Sequence, residues 1–213
     1  MSPSPTPTVY FGYGSNLWLH QMRTRCPSST YVGVARLPNY RWLINDRGYA
    51  NVVELDTSSP SPSNTTTPTS DVVYGLVYTL TPTDESRLDR NEGVPIAYTK
   101  ELLPCTFWSG TTSTPVDVSK PPTDEERKML VYIDRERTAP SEPKEEYVYR
   151  MNKGIDDALA LGVPKKYVDE VMRKFIPEGG SGGDGDGDGD GDGEVAAKAL
   201  RQATQFEDES GVM

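Results

Sequence analysis

Val9-Tyr10-Phe11-Gly12-Tyr13-Gly14-Ser15-Asn16-Leu17 is the stretch on which the reading of this chain turns. Val9, Tyr10 and Phe11 form an apolar run suited to a buried strand. Gly12 and Gly14 permit a sharp turn and leave room for a ligand to approach the main chain. Ser15 or Asn16 is then placed to cap a helix over Leu17-Trp18-Leu19-His20-Gln21-Met22-Arg23. A strand that turns through glycines into a helix start aims several N–H groups outward, and such groups suit a carboxylate or phosphate. The same residues also make an ordinary strand-to-helix connection that binds nothing.

Familiar patterns around such a turn are absent. Leu17 stands where a dinucleotide fingerprint needs its third glycine, and no Gly-Lys-Ser/Thr follows. Ser15 is not in a Gly-x-Ser-x-Gly elbow, because Asn16-Leu17 come next. The single histidine, His20, lies on the predicted helix, so a Ser-His-Asp triad would have to be very local. One histidine and two cysteines make a poor zinc set. The loop is suited to hold something rather than to attack it.

A carboxylate far downstream supplies the second element. Thr81-Pro82-Thr83-Asp84 reads as a helix entry, with Thr81 as cap and Pro82 in the first turn. That helix should run through Leu88-Asp89 and stop near Gly93, which puts Glu92 at its C-terminus. There the helix dipole disfavours negative charge, and burial would act in the same direction, as a general base working near neutrality requires. Glu92 also fits a plain solvated face beside Asp84, Glu85, Arg87, Asp89 and Arg90.

Composition narrows the class further. The chain has 213 residues, 35% of them hydrophobic, which suits one domain with additions. No run approaches the apolar length of a membrane helix. The start, Met1 to Thr8, lacks the regions of a signal peptide and is expected to be a disordered arm. Without a secretory signal, Cys26 and Cys105 are expected to be free thiols, the sequon at Asn64 unused and the protein cytoplasmic. From Glu178 onward ten acids face two bases, so most of the net charge of −10 belongs to the tail. That balance offers no basic face for nucleic acid or an acidic membrane. Gly179 to Gly193 is expected to be extended and mobile. Beyond it, a loosely helical tail is expected in preference to a docked helix, with Val195, Ala199, Leu200 and Ala203 on one face.

Several segments taken together resemble the gamma-glutamylcyclotransferase family. They are Tyr13-Gly14-Ser15-Asn16-Leu17, Gly48-Tyr49-Ala50-Asn51-Val52, Val73-Tyr74-Gly75-Leu76-Val77-Tyr78, Leu88-Asp89 through Glu92-Gly93-Val94 with Tyr98, and Ala139-Pro140-Ser141-Glu142-Pro143 with Tyr147. The likeness covers most of the chain from Val9 to Pro177, and the part from Tyr149 to Pro164 is similar to forms found in filamentous fungi. The resemblance implies that the backbone of Tyr13, Gly14, Ser15, Asn16 and Leu17 grips a glutamyl head. It implies that Glu92 acts as general acid and base, that Tyr98 shapes the pocket, and that Tyr147, in a spacing disturbed by Lys144-Glu145-Glu146, is the nearest match to a further pocket tyrosine. It implies a small-molecule gamma-glutamyl substrate cyclised to 5-oxoproline, with no cofactor and no metal.

The resemblance leaves alternatives within it. A gamma-glutamylamine or glutathione is an alternative substrate, ranked lower because the glutathione-specific relatives usually carry Tyr-Gly-Ser-Leu-Ile-Trp, and here only Trp18 of the last three matches. A non-catalytic gamma-glutamyl-binding protein would keep the same pocket.

Strands are predicted at Tyr49–Leu55, Val72–Leu80, Glu101–Trp108 and Lys128–Ile133, and helices at Glu145–Leu161 and Pro164–Phe175. The Ser/Thr/Pro-rich stretch 56–71 is expected to be a surface loop on a hairpin joining the first two strands. Strands with interspersed and trailing helices give an α+β fold, which the resemblance sharpens to a small mixed β-barrel flanked by helices. The expected division is a disordered N-terminal arm over 1–8, a catalytic domain over 9–177 and an acidic tail over 178–213.

Overall fold

A computed structural model of the chain describes residues 6–56, 69–179 and 191–204. Residues 1–5 of the expected arm, 57–68 of the low-complexity stretch, and 180–190 and 205–213 of the expected tail lie outside the described residues.

Five strands close into a barrel: β1 (Thr8–Gly12), β5 (Val72–Leu80), β2 (Thr30–Pro38), β6 (Thr99–Ser109) and β7 (Asp124–Ile133), in that spatial order. Neighbours are antiparallel except at the seam, where β1 meets β7 in parallel through Tyr10 and Leu130. Thr8 already belongs to β1, opposite Leu80, so the barrel begins one residue inside the expected arm. Closure leaves no exposed sheet edge along the barrel. Phe11, Val34, Leu76, Val77, Met129 and Val131 of its strands are all fully buried.

The remaining strands differ from expectation. β4 (Ala50–Glu54) pairs with β3 (Tyr40–Ile44) in a separate two-stranded sheet, while β5 pairs with β1 and β2. The hairpin expected across 56–71 is therefore not formed: its two strands belong to different sheets. Strand propensity locates a strand and carries no information about which neighbour it finds.

Three helices matter for the site. α1 (Leu19–Arg25) follows a short 3-10 turn at Ser15–Leu17. No side chain of Ser15 or Asn16 caps it, and the first helical amide, Leu19 N, instead donates to Asp157 Oδ2 at 2.8 Å. Asp157 stands on α3 (Glu145–Leu161), whose Gly154 leaves the space in which Leu17 and Trp18 lie. α2 (Pro82–Asn91) begins as its sequence predicts, with Thr81 Oγ1 accepting from Asp84 N at 3.2 Å. It ends with Gly93 at φ +63°, Gly93 N donating to Arg90 O and Val94 N to Asp89 O, the paired bonds of a Schellman motif.

The region predicted as one helix from Pro164 to Phe175 is α4 (Lys165–Glu170) followed by a 3-10 turn at Met172–Lys174. The C-terminal segment overturns the loose-tail expectation. α5 (Gly191–Thr204) is docked on α1 and α3, with Ala199, Gln202 and Ala203 buried. Leu200, expected on its apolar face, is 46% exposed. None of the described helices is long and apolar enough to cross a membrane, and Cys26 and Cys105 are free and buried.

Candidate active site

The glycine-rich loop follows the end of β1, and a cleft opens beside it. The cleft holds about 470 Å³ of empty space, its mouth included. Tyr13, Gly14, Ser15, Asn16, Glu92, Tyr98 and Tyr147, drawn from three distant parts of the sequence, all line it. Leu17 does not: its side chain is buried in the core against Gly154, and its N–H closes the turn onto Gly14 O at 2.9 Å.

The glycines serve space rather than unusual dihedrals. Gly14 has φ −106°, but a Cβ there would stand 2.8 Å from Tyr147 Oη. At Gly12 a Cβ would meet only ordinary contacts at 3.4 Å, so that position makes no comparable demand.

Tyr147 ties the loop down. Its hydroxyl oxygen accepts from Ser15 N and Ala50 N, each at 3.2 Å, joining the loop to β4. Ser15 N, expected to point at a ligand, is thereby engaged within the protein. Tyr98 Oη donates to Ala50 O at 2.9 Å, and Tyr13 Oη donates to Tyr132 O at 2.6 Å. Three phenols thus brace the walls, each buried and hydrogen-bonded as a buried hydroxyl must be.

Glu92 reaches the same cleft from the end of α2. Its Oε1 accepts from Asn16 Nδ2 at 3.0 Å, and the same amide donates to Tyr10 Oη at 2.8 Å. The residue is half-buried while its carboxyl is enclosed by protein, and burial pushes that carboxyl above its ordinary value. Arg25, the Asn16 hydrogen bond, Arg47 and Arg150 all pull the other way and do not overcome it.

Several contributors are not among the site residues predicted from the sequence. Tyr10, Arg25, Tyr49, Ala50, Asn91, Tyr132 and Arg150 also line the cleft. Arg150 Nε donates to Glu146 Oε2 at 3.0 Å and Nη1 to Ser15 Oγ at 3.1 Å. The Glu146–Arg150 spacing of one helical turn is a readable pair, but only the fold shows that both groups are buried. Gln21 completes the ring, donating through Nε2 to Ser15 Oγ at 2.9 Å and Asn16 Oδ1 at 2.8 Å. Among the described residues no group of three or more His, Cys, Asp or Glu is arranged to hold a metal ion.

Chemically, the cleft offers one carboxyl that burial holds above its ordinary value, two guanidinium groups, and a braced loop. That set suits a small anionic substrate and a proton transfer. Residues 10–149 match the family model described as gamma-glutamyl cyclotransferase, AIG2-like. Gamma-glutamylcyclotransferase from Bos taurus is 26% identical over 183 residues, spanning 75% of this chain and 91% of that protein. A solved structure described as a gamma-glutamyl cyclotransferase superposes with a TM-score of 0.58 at 20% identity, covering 92% of this chain and 99% of the other. An uncharacterized protein from Homo sapiens does so with a TM-score of 0.60, also at 20% identity and the same coverage. At these identities the structural likeness speaks to the fold.

Proposed function

The chain belongs to the gamma-glutamyl cyclotransferase, AIG2-like family, and from that premise we propose that it cyclises a gamma-glutamyl compound to 5-oxoproline, with Glu92 moving the proton. One observation carries this reading. The Glu92 carboxyl, held at 3.0 Å by the Asn16 amide, lines the same cleft as the loop residues Gly14 and Ser15.

The substrate brings its own nucleophile, its α-amine, which arrives protonated. Glu92 takes a proton from the ammonium, and the freed lone pair bonds to the γ-carbonyl carbon. Attack leaves the ring nitrogen cationic with two hydrogens. The tetrahedral intermediate collapses by breaking the bond to the departing amine, which receives the proton from Glu92, and the ring nitrogen releases its second proton to solvent as the neutral lactam forms. Attack closes a five-membered lactam, so holding the glutamyl chain folded supplies a proximity gain, and no enzyme nucleophile is required. The positive charge of Arg25 and Arg150 favours a substrate bearing a carboxylate. A carboxyl raised by burial is matched to a base working near neutrality.

The test is incubation with gamma-glutamyl-alanine, a gamma-glutamylamine and glutathione, with 5-oxoproline followed by mass spectrometry. Glu92→Gln is expected to lower kcat by about 10²- to 10⁴-fold while calorimetry still registers ligand binding. An unchanged rate would remove Glu92 from the mechanism, and no 5-oxoproline from any of the three would overturn the function.

A further inference from the structure

α5 reaches the candidate site through a single side chain. Arg25, the last residue of α1, is 5% exposed and spends two of its donor groups on α5: Nε donates to Ala203 O at 3.0 Å, and Nη2 to Gln202 O at 2.7 Å. These carbonyls belong to the final described residues of α5. The remaining arm points into the cleft, with Nη1 donating to Asn16 Oδ1 at 3.3 Å. Gln21 Nε2 donates to the same oxygen at 2.8 Å.

Two N–H donors on Oδ1 decide which way the Asn16 amide faces. Reversed, its NH₂ would confront those donors and its oxygen would confront the Glu92 carboxyl. In the observed orientation Nδ2 donates to both Glu92 Oε1 and Tyr10 Oη. A guanidinium suits this task because its donors diverge from a rigid plane, whereas an ammonium cannot span both α5 carbonyls and Asn16 in fixed geometry.

We propose that α5 is a working part of the site: its Gln202 and Ala203 carbonyls hold Arg25 as a positioning residue, and Arg25 locks the Asn16 amide against Glu92. The inference rests on the proposed role of Glu92, and it assigns function to a helix that lies beyond the region matched by the family model, residues 10–149. Loosening α5 frees the guanidinium, and Glu92 loses both a fixed hydrogen-bond donor and a nearby positive charge, two influences that favour its carboxylate form.

The experiment uses the full-length protein. Ala199→Glu puts a carboxylate at a fully buried point of the α5 docking face, and hydrogen exchange reports whether the helix has lifted. Arg25→Lys keeps the charge and removes the fork, while Leu200→Glu, on the exposed side, is the control. The first two variants are expected to lower kcat by about 10- to 100-fold and to move the acid limb of the pH profile of kcat/KM to higher pH. Leu200→Glu is expected to leave both alone. Unchanged kcat and acid limb in Ala199→Glu with α5 exchanging freely would overturn the proposal. If exchange finds α5 still docked, Arg25→Lys decides in its place, and an unchanged kcat and acid limb there would overturn the proposal equally. A wild type without turnover defeats the cyclotransferase reading instead. In that event a carboxyl-carbon NMR titration of Glu92 in the same variants still decides: an upward move supports the proposal and an unmoved curve overturns it.

Discussion

Glu92 joins two influences of different legibility. Its place at the end of α2 follows from Thr81, Pro82 and Gly93, so the unfavourable dipole is readable from local chemistry. The desolvation that raises its carboxyl is not, because burial comes from packing by distant parts of the chain, with Arg25 and the Asn16 amide pulling the other way. A raised acid holds its proton to higher pH when folded than when unfolded. Stability from this group is therefore full below the ordinary carboxylate value of 4.5 and is lost as pH rises from there through the raised folded value. Glu92→Gln cannot ionise, and its Oε1 still accepts from Asn16. It is expected to be more stable than the wild type at neutral pH, with the difference closing at acid pH, as read by urea denaturation at both. An equal difference at both would remove desolvation from the account. Tyr147→Phe strands the buried amides of Ser15 and Ala50. The expected cost is about 1–3 kcal/mol, together with a several-fold rise in KM as the loop loses its brace, measured by denaturation and steady-state kinetics.

At the level of elements, helix ends closed by nearby residues were legible and those closed across the fold were not. Thr81 caps its own helix, and Gly93 and Gly162 terminate α2 and α3 in the left-handed conformation. For α1 the donor's partner is Asp157, 138 residues away, so no local pattern marks it. Asp157→Ala is expected to lower stability by about 1 kcal/mol, within the range for losing a helix cap, and a change of a few tenths or less in urea melts would show that the α1 end needs no such partner. α5 makes the same point from the other side. A short Ala-rich helix is marginal alone, and its docking on α1 and α3 buries Ala199 and Ala203 and pairs an arginine of α1 with backbone carbonyls, which no side-chain pattern announces. Pairing of β4 with β3 instead of β5 has a similar origin, since every strand candidate has two edges and propensity favours neither.

For the molecule as a whole, the barrel and cleft concentrate phenols in the interior. Burial pushes the hydroxyls of Tyr10, Tyr13, Tyr78, Tyr98 and Tyr147 above their ordinary value of 10.0. The folded state resists ionising them, so the stability they contribute is present below that value and is lost as pH rises beyond it. Alkaline titration is expected to release phenolate absorbance from this group together with the loss of circular dichroism, in one cooperative step. Smooth phenolate release ahead of unfolding would show that these rings are not sealed from water.

What the amino-acid order determined by itself was everything set by short-range chemistry. The apolar run of Val9 to Phe11, the entry and exit of α2, the span of α3 and the presence of a strand at Val72–Leu80 all depend on residues within a turn or two of each other. The order of site segments along the chain was also readable, because a resemblance compares residues in sequence. Only the tertiary structure decided the strand partners, the docking of α5, the remote cap on α1 and the charge environment of Glu92. Each of those is a contact between surfaces that local propensity leaves open, and its energy exists only once barrel closure has brought them together.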